Sequence, residues 1–144
     1  MRISDILRIK GNDVITVRPD DTVERLVAVL ADRRIGAAVV SRDGRSIDGI
    51  ASERDVVRAL AQRGPSVLAE PVTAVHTAEV RSIDPQASLE ELMRLMTEHR
   101  IRHLPVVDDG RLCGIVSIGD VVKNRIDELE TEHAALSHYI AGDR

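Results

Sequence analysis

Two short stretches of this 144-residue chain carry the same set of reactive groups at the same spacing. Gly49-Ile50-Ala51-Ser52-Glu53-Arg54-Asp55 and Gly114-Ile115-Val116-Ser117-Ile118-Gly119-Asp120 each run glycine, two small or aliphatic residues, serine, two variable residues, aspartate. In each, an apolar run that reads as a strand gives way to a helical pattern, so the hydroxyl and carboxylate meet free backbone N–H groups at the corner. An aspartate in that position accepts both hydroxyls of a ribose, while the serine and the helix N-terminus suit a phosphate. Ser-x-x-Asp is also the spacing of a capping box, in which the acid at N3 reaches back to the N-cap N–H. The two readings are compatible, because a cap can be shared with a ligand. The duplication, with glycine fixed three residues before each serine, favours more than a cap.

The elements that must hold these corners also come twice. Residues 14–17 read as a strand stopped by Pro19, and Thr22 as the N-cap of a helix with Val23, Leu26, Val27 and Leu30 on one face. The apolar residues 37–40 follow, then Asp43-Gly44, a strong hairpin signal between apolar runs. The first corner and a helix to about Arg63 come next. Gly64-Pro65-Ser66 then breaks the helix and opens a linker. The second half repeats the order: residues 80–83 as strand, Pro85 as stop, Ser88 as N-cap with Glu91 at N3, and a helical face of Leu89, Leu92, Met93 and Met96. Residues 104–107 are the next strand, Asp109-Gly110 the turn, and the second corner closes the unit. Pro85 follows Pro19, Ser88 follows Thr22, Ile101 follows Ile35 and Gly110 follows Gly44 by 66 positions, and Asp120 follows Asp55 by 65. This is an internal duplication, read as repeats over 1–66 and 67–144.

A strand-helix-strand-strand-helix unit is too small to bury its own apolar face. The expected fold is therefore α/β (α+β): two small mixed three-stranded sheets with helices, packed about a pseudo-twofold axis, with a cleft beside each corner. Ile3, Ile6 and Leu7 form a short amphipathic turn before the first strand. The last helix is expected from about Gly119 to Ala141. Its Ile126, Leu129, Leu136 and Ile140 fall at coiled-coil spacing, which suits packing on its own domain or a dimer contact.

Composition removes several function classes. The chain is 43% hydrophobic and 31% charged with a net charge of −4, which offers no basic field for nucleic acid. Phe and Trp are absent and Tyr139 is the only aromatic, so a bound nucleobase must lie between aliphatic side chains. No apolar run reaches the length of a membrane span and no signal-peptide pattern opens the chain, so a cytoplasmic protein is expected. Cys113 is alone, reading as a buried inert thiol, and excludes a disulfide framework within one chain. His99, His103 and Cys113 fit no zinc spacing. The chain has no His-Glu-x-x-His, nucleophile elbow, Walker A loop or Gly-x-Gly-x-x-Gly, so the reading is not an enzyme.

The two Gly-h-h-Ser-x-x-Asp units resemble a CBS domain pair, the Bateman module, over nearly the whole chain. Ile35-Gly36-Ala37, residues 52–60 and residues 100–107 are similar to the segments typical of small stand-alone bacterial CBS-pair proteins. The resemblance implies a regulatory sensor of adenosyl ligands (AMP, ADP, ATP, NAD or S-adenosylmethionine) with no catalysis and no required cofactor. It implies that Asp55 and Asp120 hold ribose hydroxyls and that Ser52 and Ser117 contact ribose or phosphate. Ile35, Gly36 and Ala37, with Arg102, His103, Leu104 and Pro105, are implied to line the adenine and phosphate pockets. Thr16 and Val17, with Ser82 and Ile83, are implied to give backbone contacts to the base. Because Arg102 and His103 match Gly36 and Ala37, and Arg54 matches Gly119, the two sites are expected to differ. Each of these cations also reads as an ordinary surface charge, and His76 departs from the methionine of many relatives. A homodimer and a separate effector protein are the expected partners, and a dimerisation scaffold with vestigial pockets is the alternative.

Overall fold

The computed structural model describes residues 1–142. Helix α1 (Ile3–Lys10) leads into strand β1 (Thr16–Val17), helix α2 (Val23–Arg33), strands β2 (Ala37–Val40) and β3 (Gly49–Ser52), and helix α3 (Glu53–Arg63). Two 3-10 turns, Pro65–Ala69 and Val72–Ala74, form the linker. Helix α4 (Leu89–His99), strands β4 (His103–Asp108) and β5 (Arg111–Ser117), and helix α5 (Ile118–Gly142) complete the chain. The expected caps are in place: Thr22 Oγ1 accepts from Arg25 N–H and Ser88 Oγ from Glu91 N–H. Both satisfy a helix-end donor that would otherwise lack a partner.

The sheets differ from the expectation of two three-stranded units. In the first half β1 pairs parallel to β2 and β2 antiparallel to β3. The second sheet is the β4-β5 hairpin, and the anticipated strand over residues 80–83 is reduced to a single parallel bridge between Ile83 and Val106. Ile83 donates to Pro105 O and accepts from Val107 N–H, so the pairing exists for one residue only. Pro85 stops it on one side, and on the other residues 79–81 turn away to line a cavity. The turns differ as well. Asp109 and Gly110 take φ of 50° and 75°, the positive values a tight two-residue hairpin needs. Asp43 instead accepts hydrogen bonds from Ser46 and Arg45 N–H and from the Ser46 hydroxyl, which organises a longer loop. Those bonds, the Ser46 backbone bond foremost, hold the Asp43 carboxyl well below its ordinary range.

Each half has its own core, and each core is closed by a segment from outside its repeat. Val17, Val23, Leu26, Val40, Ala51 and Val56 pack with Val72 of the linker. Leu89, Leu92, Leu104, Val106 and Val116 pack with Ile3, Ile6 and Leu7 of α1. The two segments dock alike: Leu89 N–H donates to Met1 O as Val23 N–H donates to Glu70 O, and Ile3 N–H donates to Ala87 O as Val72 N–H donates to Asp21 O. Leu7 lies against Gly114 where His76 lies against Gly49, and a Cβ on either glycine would stand within 2.7 Å of that neighbour. The segments are thus pseudo-equivalent under a shift of 69 positions, which aligns Lys10 with Glu79. Helix α5 packs through Val121 and Asn124, and from residue 129 through 142 its side chains are exposed. Among the described residues no helix is long and apolar enough to cross a membrane.

Candidate functional site

Both Ser-x-x-Asp corners are capping boxes with nearly the same geometry. Ser52 N–H and Oγ donate to Asp55 Oδ2 at 2.9 and 3.0 Å, and Asp55 N–H donates to Ser52 Oγ at 3.2 Å. At the second corner the same three bonds measure 2.8, 3.0 and 3.2 Å between Ser117 and Asp120. The first N–H of each helix is taken by the residue just before the neighbouring strand, Glu53 N–H by Gly36 O and Ile118 N–H by Arg102 O. One carboxylate oxygen is therefore spent on the cap at each corner. The other oxygen and the positive helix end remain for a ligand.

A cavity of about 500 Å³ opens at the first corner. Ser52, Glu53, Arg54, Asp55 and Arg58 of α3 and its cap form one wall, with Gly36, Ala37 and Ile50 from the adjacent strands. Thr77, Glu79, Val80 and Arg81 cross below, and residues 99–103 of the second half close the far side. Arg54, Arg58, Arg81, Arg100 and Arg102 outnumber Glu53, Asp55 and Glu79, which leaves a positive surplus in a partly enclosed space. Gly36 faces the imidazole of His103, and a Cβ there would lie 3.3 Å from its Cε1. Burial, then the Lys10 charge, pushes the His103 imidazole below its ordinary value, against the pull of Glu53 and Asp120. Among the described residues no cation pairs with Asp55 within 4.0 Å.

The second corner carries a cation from its own chain, on the same carboxylate oxygen that the cap uses. Lys10 Nζ donates to Asp120 Oδ2 at 2.6 Å and to Ile115 O at 2.8 Å. Burial acts to raise the Asp120 carboxyl, but the Lys10 and Ser117 bonds and the Lys10 charge together hold it below its ordinary value. At the first corner the matching carbonyl, Ile50 O, accepts from the Thr77 backbone N–H instead.

Of the residues expected at a site, Gly36, Ala37, Ser52, Arg54, Asp55, Arg102 and His103 meet in the one cavity. Ser117 and Asp120 form the second corner outside it. Val17 and Ile83 point into the two cores, Leu104 and Pro105 are buried in β4, Ile35 packs on the first core, Thr16 is half-buried and Ser82 is exposed. Sequence reading missed Arg58, Glu79, Arg81, His99 and Arg100. Arg58 had a signal, lying one helical turn beyond Arg54. Residues 79–81 had none, because they belong to an irregular segment without periodicity. Cys113 is half-buried, not fully buried, with its thiol on Val106 O and its pKa raised mainly by burial. Among the described residues no group of three or more His, Cys, Asp or Glu side chains is placed to hold a metal ion.

Comparison with known proteins gives one answer. The sequence profile of the CBS domain matches twice, over residues 3–62 and 72–127. A mitochondrial CBS domain-containing protein of Arabidopsis thaliana is 35% identical over 148 residues, spanning 97% of this chain and 72% of its own length. The crystal structure of a CBS-domain containing protein from Agrobacterium tumefaciens superposes with a TM-score of 0.83 at 41% identity, covering 86% of this chain and 92% of that one. A CBS domain protein of Pyrobaculum aerophilum, solved in complex with AMP, gives 0.74 at 29% identity over 83% of this chain and 89% of that one. With two matched repeats folded as a tandem pair around the duplicated corners, this chain belongs to the CBS domain family.

Proposed function

We propose that this CBS pair is a regulatory module that binds an anionic adenosyl ligand in the cavity at Asp55. The observation that carries the reading is the joining, in one space of about 500 Å³, of a carboxylate that pairs with no cation among the described residues with arginines from both halves. The carboxylate suits a ribose diol and Arg54, Arg58 and Arg102 suit phosphates, while Ile50, Val80 and Ile101 offer the aliphatic walls an adenine needs. The surplus positive charge favours AMP, ADP, ATP or NAD over S-adenosylmethionine, whose sulfonium is itself a cation. The AMP complex of the Pyrobaculum relative supports the same class. Because the cavity is walled by both repeats, a ligand there ties one half to the other, and the change reaches a homodimer or a separate effector protein by biasing their relative arrangement.

Calorimetric titration of the purified protein with AMP, ADP, ATP, NAD and S-adenosylmethionine tests this. Saturable binding by a nucleotide, weakened roughly ten- to a hundred-fold by Asp55→Ala, is expected, since a hydrogen bond to a charged group is worth about 1.5–3 kcal/mol. The half-exposed Leu129, Leu136 and Ile140 on α5 favour a second reading, a ligand-independent dimerisation scaffold. A stable dimer by light scattering that ignores every nucleotide would select it.

A further inference from the structure

The two corners share their covalent pattern and their capping geometry, yet one lines a cavity and the other carries an ammonium on its carboxylate. What differs is the residue that the pseudo-symmetric segment brings to each. Position 79 supplies Glu79 to the wall of the Asp55 cavity. Its pseudo-equivalent supplies Lys10, whose ammonium bridges Asp120 and the Ile115 carbonyl. A glutamate cannot pair with the Asp55 carboxylate, and like charges keep the two apart. A lysine at the end of a well-anchored helix does the reverse. Ile3, Ile6 and Leu7 are buried in the second core, so the helix that carries Lys10 is fixed close to Asp120 at little further entropic cost.

We infer that Lys10 is the residue that decides occupancy of the second cleft: its ammonium sits on the capped oxygen of Asp120 and on the Ile115 carbonyl beside it, neutralising the carboxylate and taking the space a ribose would need, so this CBS pair binds its nucleotide at Asp55 alone. The inference rests on the adenosyl reading of the first cavity, and it assigns opposite roles to Lys10 and Glu79. A ligand entering at Asp120 meets a carboxylate already neutralised by an ammonium that also holds the Ile115 carbonyl, whereas a ligand entering at Asp55 meets no such cation. A phosphate at the second corner also lacks one cation, because Gly119 stands where the first has Arg54. Opening that corner therefore creates a weaker site than the one at Asp55.

The test is calorimetric titration with AMP of the full-length wild type, Lys10→Ala, Lys10→Arg and Glu79→Lys. Expected are one AMP per chain for the wild type and for Lys10→Arg, which keeps the cation. Lys10→Ala should bind a second AMP about tenfold more weakly, an event lost in Lys10→Ala/Asp120→Ala and retained in Lys10→Ala/Asp55→Ala. Glu79→Lys should weaken the first site at least tenfold by setting a cation against Asp55. Two AMP per wild-type chain, or a single event unchanged by Lys10→Ala, overturns the inference. A wild type that binds no AMP while Lys10→Ala binds one at Asp120 overturns the reading of the Asp55 cavity and leaves the role of Lys10 standing. Silence from both overturns the two together.

Discussion

The two halves fold by the same rules and end in different states. Each presents a glycine under a close neighbour, a Ser-x-x-Asp cap and a helix start satisfied by the residue just before the neighbouring strand. In the first half the capped carboxylate faces a cavity, and in the second it faces Lys10 at 2.6 Å. The duplicated motif therefore builds the same corner twice in two different surroundings. What differs is the segment crossing beneath the corner, residues 77–81 in one half and the end of α1 in the other. These segments come from outside the repeat they serve, and the same swap closes the two hydrophobic cores.

The swap gives the largest expected effect. Ile6 is buried in the second core although it precedes the first strand, so Ile6→Ala should cost about 2–5 kcal/mol in urea unfolding. In hydrogen exchange the loss of protection should appear first in β4 and β5. Early loss in β2 and β3 would show that α1 belongs to the first half. Next come the two glycines. A Cβ at position 49 would meet the Thr77 backbone oxygen at 2.8 Å, whereas at position 114 it would meet only the tip of Leu7. Both alanine variants should destabilise by about 1–3 kcal/mol. Gly49→Ala should lose more, because a backbone atom cannot swing aside, and the opposite order of melting temperatures would contradict the asymmetry.

A smaller effect concerns His103, which burial holds below its ordinary pKa. A phosphate beside it favours the imidazolium, so the complex binds more protons than the free protein. AMP affinity should then rise by roughly two- to five-fold as pH falls from about 7.5 to about 6, and His103→Gln should flatten the profile. Smallest is the acid limb of stability. Asp120 is held below its ordinary value of 3.8, so its contribution is present above that value and is lost as pH falls through the folded-state value. Lys10→Ala removes part of this support and should move acid unfolding to higher pH, as followed by circular dichroism. An unchanged midpoint would mean the ion pair adds nothing to folding.

Much of this was legible before any coordinates. The repeat offset of 66, the caps at Thr22 and Ser88 and the paired corners are local signals written in residue type and spacing. The partial third strand of the second half was not, since the apolar residues 80–83 look like a strand whether they pair or turn aside. Where α1 packs was equally hidden, because Ile3, Ile6 and Leu7 show an apolar face without naming its partner. The pairing of Lys10 with Asp120 spans 110 positions and follows from that packing. Glu79, Arg81 and Arg100 lie in irregular or helix-ending segments, where no period points a side chain anywhere. The site was visible where it used the repeat and invisible where it used the segments exchanged between repeats.

The most direct measurement is a crystal structure of the wild-type protein grown with AMP. AMP is expected in the cavity, its ribose on Asp55 and its phosphate among Arg54, Arg58 and Arg102, with Lys10 still bonded to Asp120. AMP on Asp120 with Lys10 displaced and the Asp55 cavity empty would contradict that assignment.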